Sequence, residues 1–206
     1  MSQHGRNREP SKEKAVFVEG IDEVNVIESI LRQLGIDDVD VLDVGGKDKL
    51  AANFENALQS PGFKKNVRSF AIIQDADRDP KGAFERVRSV LAEHKFLAPT
   101  AVGTFVESGN YKVGILVLPG GDRGGYLEDL FLDAYNGTPV RTCVENFARC
   151  SEVAGCTAFD TKRRSHALLA ALDAPEPRLG RAFESGRVNG NSPAFDVIRG
   201  FLAGLN

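Results

Sequence analysis

Hydrophobic positions in the first half of the chain fall into two kinds of pattern. Short continuous apolar runs, typical of strands that are buried on both faces of a sheet, occupy residues 15–18, 39–44 and 69–73. Apolar residues that recur every three or four positions predict helices over 24–34, 48–58 and 83–94. Gly35 directly follows the first of these and is a typical helix stop. This β-α-β-α-β-α order predicts a parallel sheet covered by helices.

The second half of the chain has a different pattern. Residues 102–106 and 113–118 are strand-like and are separated by the turn cluster Glu-Ser-Gly-Asn, which predicts a hairpin. From Leu127 onward the pattern is mainly helical. We therefore expect an α/β fold with a mostly parallel sheet flanked by helices. Its expected parts are a disordered tail over 1–13, an α/β core over 14–120 and a mainly helical extension over 121–206 packed on that core.

Composition narrows the class of protein. The 206 residues are 42% hydrophobic and 27% charged, which excludes a disordered or fibrous chain. No apolar run reaches the roughly 18 to 20 residues of a membrane span, and the polar start MSQHGRNREPSKEK is unlike a secretory signal. Three Cys, an odd number, argue against a disulfide framework, so we expect a cytoplasmic protein. The net charge of −3 means that any phosphodiester substrate would need a divalent cation between it and the acids.

Acidic residues stand where the predicted parallel strands end. Glu19 follows the first strand, Asp43 ends the second, and Asp75 and Asp77 follow the third. The carboxyl ends of parallel strands share one edge of a sheet, and Glu23 lies one helical turn beyond Glu19 on the same rim. Clustered carboxylates repel one another unless a cation neutralises them. Their hard oxygen atoms favour Mg²⁺ or Mn²⁺.

Other interpretations of these acids are open. An Asp after a strand is often a turn former or a helix cap, and Asp79 before Pro80 is typical of an N-cap. Asp75 and Asp77 are harder to explain as caps of a single helix. The D-x-D-x-D run also starts like a calcium-binding EF-hand loop. That interpretation fails because Pro80 stands in place of the required Gly, Arg86 in place of the bidentate Glu, and a strand in place of the preceding helix.

Basic residues supply candidate phosphate contacts. Lys47 follows Gly45-Gly46 at the rim, although the phosphate-loop motif is absent. Lys162-Arg163-Arg164 forms a compact basic patch, either a solvated helix start or a phosphate contact. Glu128 is either a cap-region acid or a further metal ligand. A zinc site is not expected, because the three Cys lack C-x-x-C spacing.

Glu19-Gly20 after the first strand and Asp75-Ala76-Asp77 after the third resemble the Toprim domain, the catalytic module of topoisomerases, DnaG-type primases and OLD-family nucleases. This general motif covers residues 15 to 118. Over most of the chain the sequence resembles more narrowly a family of small stand-alone Toprim proteins of unassigned function that is related to the OLD nucleases. The stretches that carry this likeness are VFVEGIDEVN, LDVGGKDKL, AIIQDADRDP, YLEDLF and SPAFDVIRGFL.

The resemblance implies a Toprim-like, Rossmann-like fold and a role for each matching residue. Glu19 matches a metal ligand or general acid/base, and Asp75 and Asp77 match the metal-binding aspartates. Glu23 matches a second glutamate of OLD-type members, which implies two Mg²⁺ or Mn²⁺ ions. The late acid and late lysine of OLD-type sites are matched only loosely, by Glu128 and Lys162. The ATPase domain of full OLD proteins has no counterpart in this sequence, so an ATPase is a candidate partner protein.

Three functions are compatible with these residues. The first is a two-metal nuclease that acts on DNA rather than RNA, with Glu19 and Lys162 as catalytic groups and with Lys47, Lys162 and Arg163 in contact with phosphate. The second is a metal-dependent subunit that binds nucleic acid or nucleotides without hydrolysing them. The third is an aspartyl-phosphate receiver, which is disfavoured because Gly20 follows Glu19 where receivers have an adjacent acidic pair.

Overall fold

The computed structural model of the chain describes residues 9–156 and 158–205. In this part of the chain five strands form one sheet in the order β2-β1-β3-β5-β4. The strands are β1 (Lys14–Val18), β2 (Val39–Asp43), β3 (Ser69–Asp75), β4 (Thr104–Ser108) and β5 (Tyr111–Leu118). Neighbouring strands are parallel except for β4, which pairs antiparallel with β5 as a hairpin. The predicted fold class, a mostly parallel sheet, and the predicted hairpin are confirmed.

Helices cover both faces of this sheet. Their bounds are α1 (Ile21–Leu34), α2 (Leu50–Gln59), α3 (Pro61–Asn66), α4 (Pro80–Glu93), α5 (Leu127–Asp133), α6 (Pro139–Val153), α7 (Thr161–Ala170), α8 (Leu179–Glu184) and α9 (Asp196–Ala203). Gly35 ends α1 in a left-handed conformation, as predicted. Asp79 caps α4, because its Oδ1 accepts from the Gly82 N–H at 2.9 Å. No helix of the described residues is long and apolar enough to cross a membrane.

The apolar runs are continuous because the strands are covered on both faces. In β1, Ala15 and Phe17 pack in one core layer, while Val16 and Val18 pack in the other. The first layer, under α2, α3 and α4, is rich in phenylalanine, with the Phe17 and Phe54 ring centroids 5.1 Å apart in an edge-to-face arrangement. Such contacts fix β1 between two layers, so the position of its end is well defined.

The second core layer joins the sheet to the C-terminal helices. Leu116 of β5 belongs to the same buried cluster as Phe183 of α8 and Leu202 of α9. The contact between α1 and α8 includes a hydrogen bond from the Ser29 hydroxyl to the Phe183 carbonyl at 3.3 Å. Residues from both sides of position 120 thus share one core, and the division of the chain at that position stays a prediction. Part of the predicted tail, residues 1–8, lies outside the described residues.

Candidate active site at the carboxyl edge of the sheet

An open cavity of about 510 Å³ lies at the carboxyl edge of the sheet. Five carboxylates and a lysine are among the side chains that line it: Glu19, Glu23, Asp43, Asp75, Glu128 and Lys162. They come from the ends of β1, β2 and β3 and from the first turns of α1, α5 and α7. The structure thus brings together most of the predicted site residues.

The loop after β2 closes one side of the cavity. The Gly46 N–H donates to the Glu19 carbonyl at 2.7 Å, and the Val44 N–H donates to the Val18 carbonyl at 2.9 Å. Gly46 has φ +100°, a conformation that L side chains rarely adopt, so glycine is required there. The Asp43 carboxylate accepts from the Gly45 N–H at 2.5 Å and so shapes this turn. Lys49, which is not among the predicted site residues, also lines the cavity from this side.

Asp75 is the most deeply buried acid of the cavity, with 8% of its surface exposed. Its Oδ1 accepts from the Leu127 N–H at 3.1 Å, which connects the end of β3 to the start of α5. Burial raises the pKa of Asp75 to about 9, and the charges of Glu23, Glu19 and Glu128 add to the rise. The Leu127 amide opposes this rise only in part.

Glu23 and Glu19 face the same electrostatic environment. Burial raises the pKa of Glu23 to about 7, with further increases from the charges of Glu128 and Glu19. Burial also raises the pKa of Glu19, and the charge of Asp77 adds to it, while the backbone and the ammonium group of Lys47 oppose it. The Glu19 Oε2 atom is buried and has no hydrogen-bond partner among the described residues. A buried acceptor without a donor is unfavourable, so this oxygen would gain from a donor or a cation in the cavity.

Gly20 lets α1 begin close to these acids. A Cβ atom at this position would lie 3.1 Å from Glu23 Oε2, tighter than most such contacts. A larger residue would therefore push the Glu23 carboxylate away from its present position. The Glu-Gly pair seen in the sequence thus has a steric reason.

Asp77 and Lys47 are paired with each other. The Lys47 Nζ lies 2.6 Å from Asp77 Oδ2, and this hydrogen bond, followed by the charge of Asp77, raises the pKa of Lys47. The backbone of Asp77 has φ +52°, unusual for a residue other than glycine, and exchanges hydrogen bonds with Gly125 at 3.0 and 2.7 Å. Asp77 remains close enough to Glu19 to raise its pKa. Metal binding by Asp77 and phosphate contact by Lys47 stay predictions.

A contact between α5 and α7 positions Lys162. Asp129 accepts from the Tyr126 N–H at 2.8 Å and from the Thr161 hydroxyl at 3.1 Å. Asp129 is not among the predicted site residues, although its position three residues after Tyr126 is the usual spacing for a helix-start contact. Lys162 Nζ lies 5.3 Å from the centroid of the Tyr126 ring. Arg163 does not line the cavity, and its guanidinium donates to the Ala158 carbonyl at 3.4 Å.

The donor set of the cavity fits a hard divalent cation. Carboxylate oxygens are the preferred ligands of Mg²⁺ and Mn²⁺, and the partnerless Glu19 Oε2 would gain a partner. Across residues 9–156 and 158–205, no three or more His, Cys, Asp or Glu side chains already form a group that could hold a metal ion.

The chain matches one family model and resembles solved structures of OLD proteins. The family model described as "Protein of unknown function (DUF3226)" matches residues 13–206. The C-terminal region of the Burkholderia pseudomallei OLD protein is 17% identical, with a TM-score of 0.49, covering 93% of this chain and 96% of that chain. The C-terminal region of the Xanthomonas campestris pv. campestris OLD protein is 16% identical, with a TM-score of 0.40, covering 93% and 97%. No curated protein sequence matches.

Both parts of the predicted resemblance are found, a family of unassigned function and a likeness to OLD proteins. The TM-scores lie below 0.5 and the identities below 25%. This likeness therefore assigns no role to any residue, and the chemistry of the site rests on its own geometry.

Proposed function

The chain belongs to the DUF3226 family of proteins of unknown function, and we propose that it hydrolyses phosphodiester bonds in nucleic acid. The proposed substrate is DNA rather than RNA, and the proposed cofactor is Mg²⁺ or Mn²⁺. One observation carries the proposal. Glu19, Glu23, Asp75 and Glu128 surround the same cavity as Lys162. This pairing of clustered acids with a lysine suits a reaction in which a phosphate anion must be bound beside carboxylates.

The acids have two tasks in this proposal. Glu19, Glu23 and Asp75 would hold the cations, with Glu128 completing the set on the α5 side. When bound, two such ions supply charge neutralisation on the scissile phosphate and a water nucleophile at neutral pH. The partnerless Oε2 of Glu19 is suited to accept the proton of the attacking water, because its raised pKa moves toward the working pH.

Lys162 would neutralise the charge that builds up on the phosphate in the transition state. Its ammonium group makes no ion pair with an acid within the described residues and lies beside the cavity at the start of α7. Lysine is effective in this role as a compact point charge. The contact of Asp129 with Thr161 holds the first turn of α7, and therefore Lys162, against α5.

Metal binding in this site would be linked to proton release. With pKa values of about 9 for Asp75 and about 7 for Glu23, the metal-free cavity holds protons at neutral pH. A cation must displace these protons, because carboxylates bind metal in the ionised form. Apparent Mn²⁺ affinity should therefore increase with pH.

The test is cleavage of supercoiled plasmid DNA by the purified protein with Mn²⁺ or Mg²⁺, with EDTA as the metal-free control. Wild type should convert plasmid to nicked and linear forms, and Asp75→Asn should not. Asp48→Asn is the matched control, since Asp48 is an exposed acid on the same rim that does not line the cavity. Equal cleavage by wild type and Asp75→Asn would contradict the assignment of the site.

A second candidate function is metal-dependent binding of nucleic acid or nucleotides without hydrolysis. It is favoured by the closed Lys47–Asp77 pair, which occupies one of the matched aspartates with a lysine of the protein. A protein of this kind would bind an oligonucleotide in Mn²⁺ and leave it intact. Cleavage that appears only after an ATPase partner is added would support a complex of the two proteins.

A further inference from the structure

Two more cavities continue from the active-site cavity along the carboxyl edge. The second has a volume of about 470 Å³ and shares Lys162 with the active-site cavity. The third has a volume of about 370 Å³ and shares Asp77, Arg78 and Tyr126 with the second. The second and third cavities adjoin at these shared residues, and we call the two together the Tyr126 groove. Lys162 lines both this groove and the active-site cavity.

The cations of the Tyr126 groove are available to a ligand. Arg78, Arg86 and Lys162 are exposed and make no ion pair within 4.0 Å with an acid of the described chain. Arginines elsewhere differ, since Arg88 pairs with Glu85 at 2.9 Å and lies on the same helix as Arg86. Arg86 lines the third cavity together with Lys47, which is paired with Asp77.

The acids of the groove are already engaged by donors of the protein. Asp77 is paired with Lys47 at 2.6 Å, and Asp79 caps α4. Asp129 accepts from Tyr126 and Thr161, and Asp160 caps α7 through the Arg163 N–H at 2.9 Å. Arg164 is also engaged, by Glu145 at 3.2 Å. Hydrogen bonds from uncharged donors leave Asp79, Asp129 and Asp160 charged, so the groove as a whole is close to neutral. What it offers an anion is the guanidinium groups of Arg78 and Arg86, which lie on its wall without an acid partner in the described chain.

We propose that the Tyr126 groove binds the phosphodiester backbone of a polynucleotide strand that continues from the active-site cavity, single-stranded where it crosses Tyr126. This inference rests on the proposed function. Guanidinium groups bind phosphate through paired donors, and Arg78 and Arg86 supply two such groups beyond Lys162. Tyr126 lines both cavities of the groove, and an aromatic ring between phosphate contacts is the usual platform for an unpaired base.

The test compares two double variants that lose the same charge. Arg78→Gln with Arg86→Gln removes the groove cations, while Lys64→Gln with Arg149→Gln removes two cations that line none of the three cavities. The probe is a fluorescent oligothymidylate of about twenty nucleotides, measured by anisotropy in EDTA at several salt concentrations. We expect the groove variant to bind at least about tenfold more weakly at low salt. The slope of the logarithm of its binding constant against the logarithm of the salt concentration should be shallower by about 1.4, or about 0.7 for each of two lost phosphate contacts. The control should bind like wild type.

Each outcome bears on the groove separately from hydrolysis. Equal binding by the groove variant and the control would overturn the inference and leave plasmid cleavage as an independent test. Weaker binding by the groove variant would support the groove even if wild type cleaves nothing in any metal. Equal competition by polyglutamate of the same length would overturn the assignment to a polynucleotide. Equal affinity for a duplex, together with no effect of Tyr126→Leu, would overturn the assignment to a single strand. Circular dichroism and melting of both double variants check that they are folded.

Discussion

Replacing Asp75 with asparagine should change how the stability of the metal-free protein depends on pH. The carboxyl group is buried and has a pKa of about 9 in the folded protein, against an ordinary value of 3.8. Folding in EDTA is therefore accompanied by proton uptake at any pH between these values. Asp75→Asn keeps an oxygen that can accept from the Leu127 N–H and removes the titration.

The sign and size of the effect follow from proton linkage. Between about pH 4 and about pH 9 the folded state binds more protons at Asp75 than the unfolded chain does. The stability from this group is thus fully present below the ordinary pKa and is lost as the pH rises through the folded value. The loss is at most about 1.4 kcal/mol for each pH unit, or about 3 kcal/mol between about pH 5 and pH 7. Glu23 contributes a loss of the same sign up to about pH 7.

The assay is urea denaturation in EDTA, followed by circular dichroism, at several pH values between about 5 and 8. The free energy of unfolding of wild type should fall relative to that of Asp75→Asn as the pH rises. Asp48→Asn removes an exposed carboxylate from the same rim and should follow wild type. Saturating Mn²⁺ should reduce the slope in wild type. Parallel curves for wild type and Asp75→Asn would refute the argument from burial and repulsion.

Three other predictions concern the same cavity. Glu19→Gln should change the free energy of unfolding by no more than about 0.5 kcal/mol, or raise it, and should lower the rate of single-turnover DNA cleavage at least about a hundredfold. Lys162→Ala should lower that rate by less. Cleavage by Glu19→Gln at the wild-type rate would contradict the role of Glu19. Mn²⁺ at about a hundredfold excess over its Kd should stabilise the fold by about 2.7 kcal/mol in thermal or urea denaturation, so an unchanged Tm in millimolar Mn²⁺ would count against a metal site. Thr161→Val should lower the free energy of unfolding by about 1 kcal/mol and reduce the cleavage rate. If this effect on cleavage passes through Lys162, Thr161→Val should reduce the rate little further in the Lys162→Ala background, which a double-mutant cycle measures.

The edge on which the acids meet could be predicted from the sequence. A continuous apolar run indicates a strand buried on both faces, and the direction of parallel strands fixes which end each one shares with its neighbours. Glu19 and Asp75 therefore could be assigned to one edge before any contact was known. The cap at Asp79 was predictable for a similar reason, because Pro80 directly follows it.

Contacts between distant elements could not be predicted in this way. The Lys47–Asp77 pair depends on side-chain conformation across two loops, and the position of Glu128 depends on the Leu127 N–H meeting Asp75. Neighbouring residues of one helix point in directions about 100° apart, so Lys162 lines the cavity while the next residue does not. The run Lys162-Arg163-Arg164 alone did not indicate which of its three side chains would line the cavity.

The second core layer also affects when the candidate site can be assembled during synthesis. The chain leaves the ribosome from its N-terminus, so the strand ends with Glu19 and Asp75 are made well before α7 and α9. Phe201 and Leu202 of α9 are buried in the same cluster as residues of β1 and β5, so that core layer is complete only when α9 has been made. A partly made chain thus carries the acids without Lys162 and without the packing that holds them. The proposed activity would therefore be absent from a nascent chain in which α9 has not yet been made.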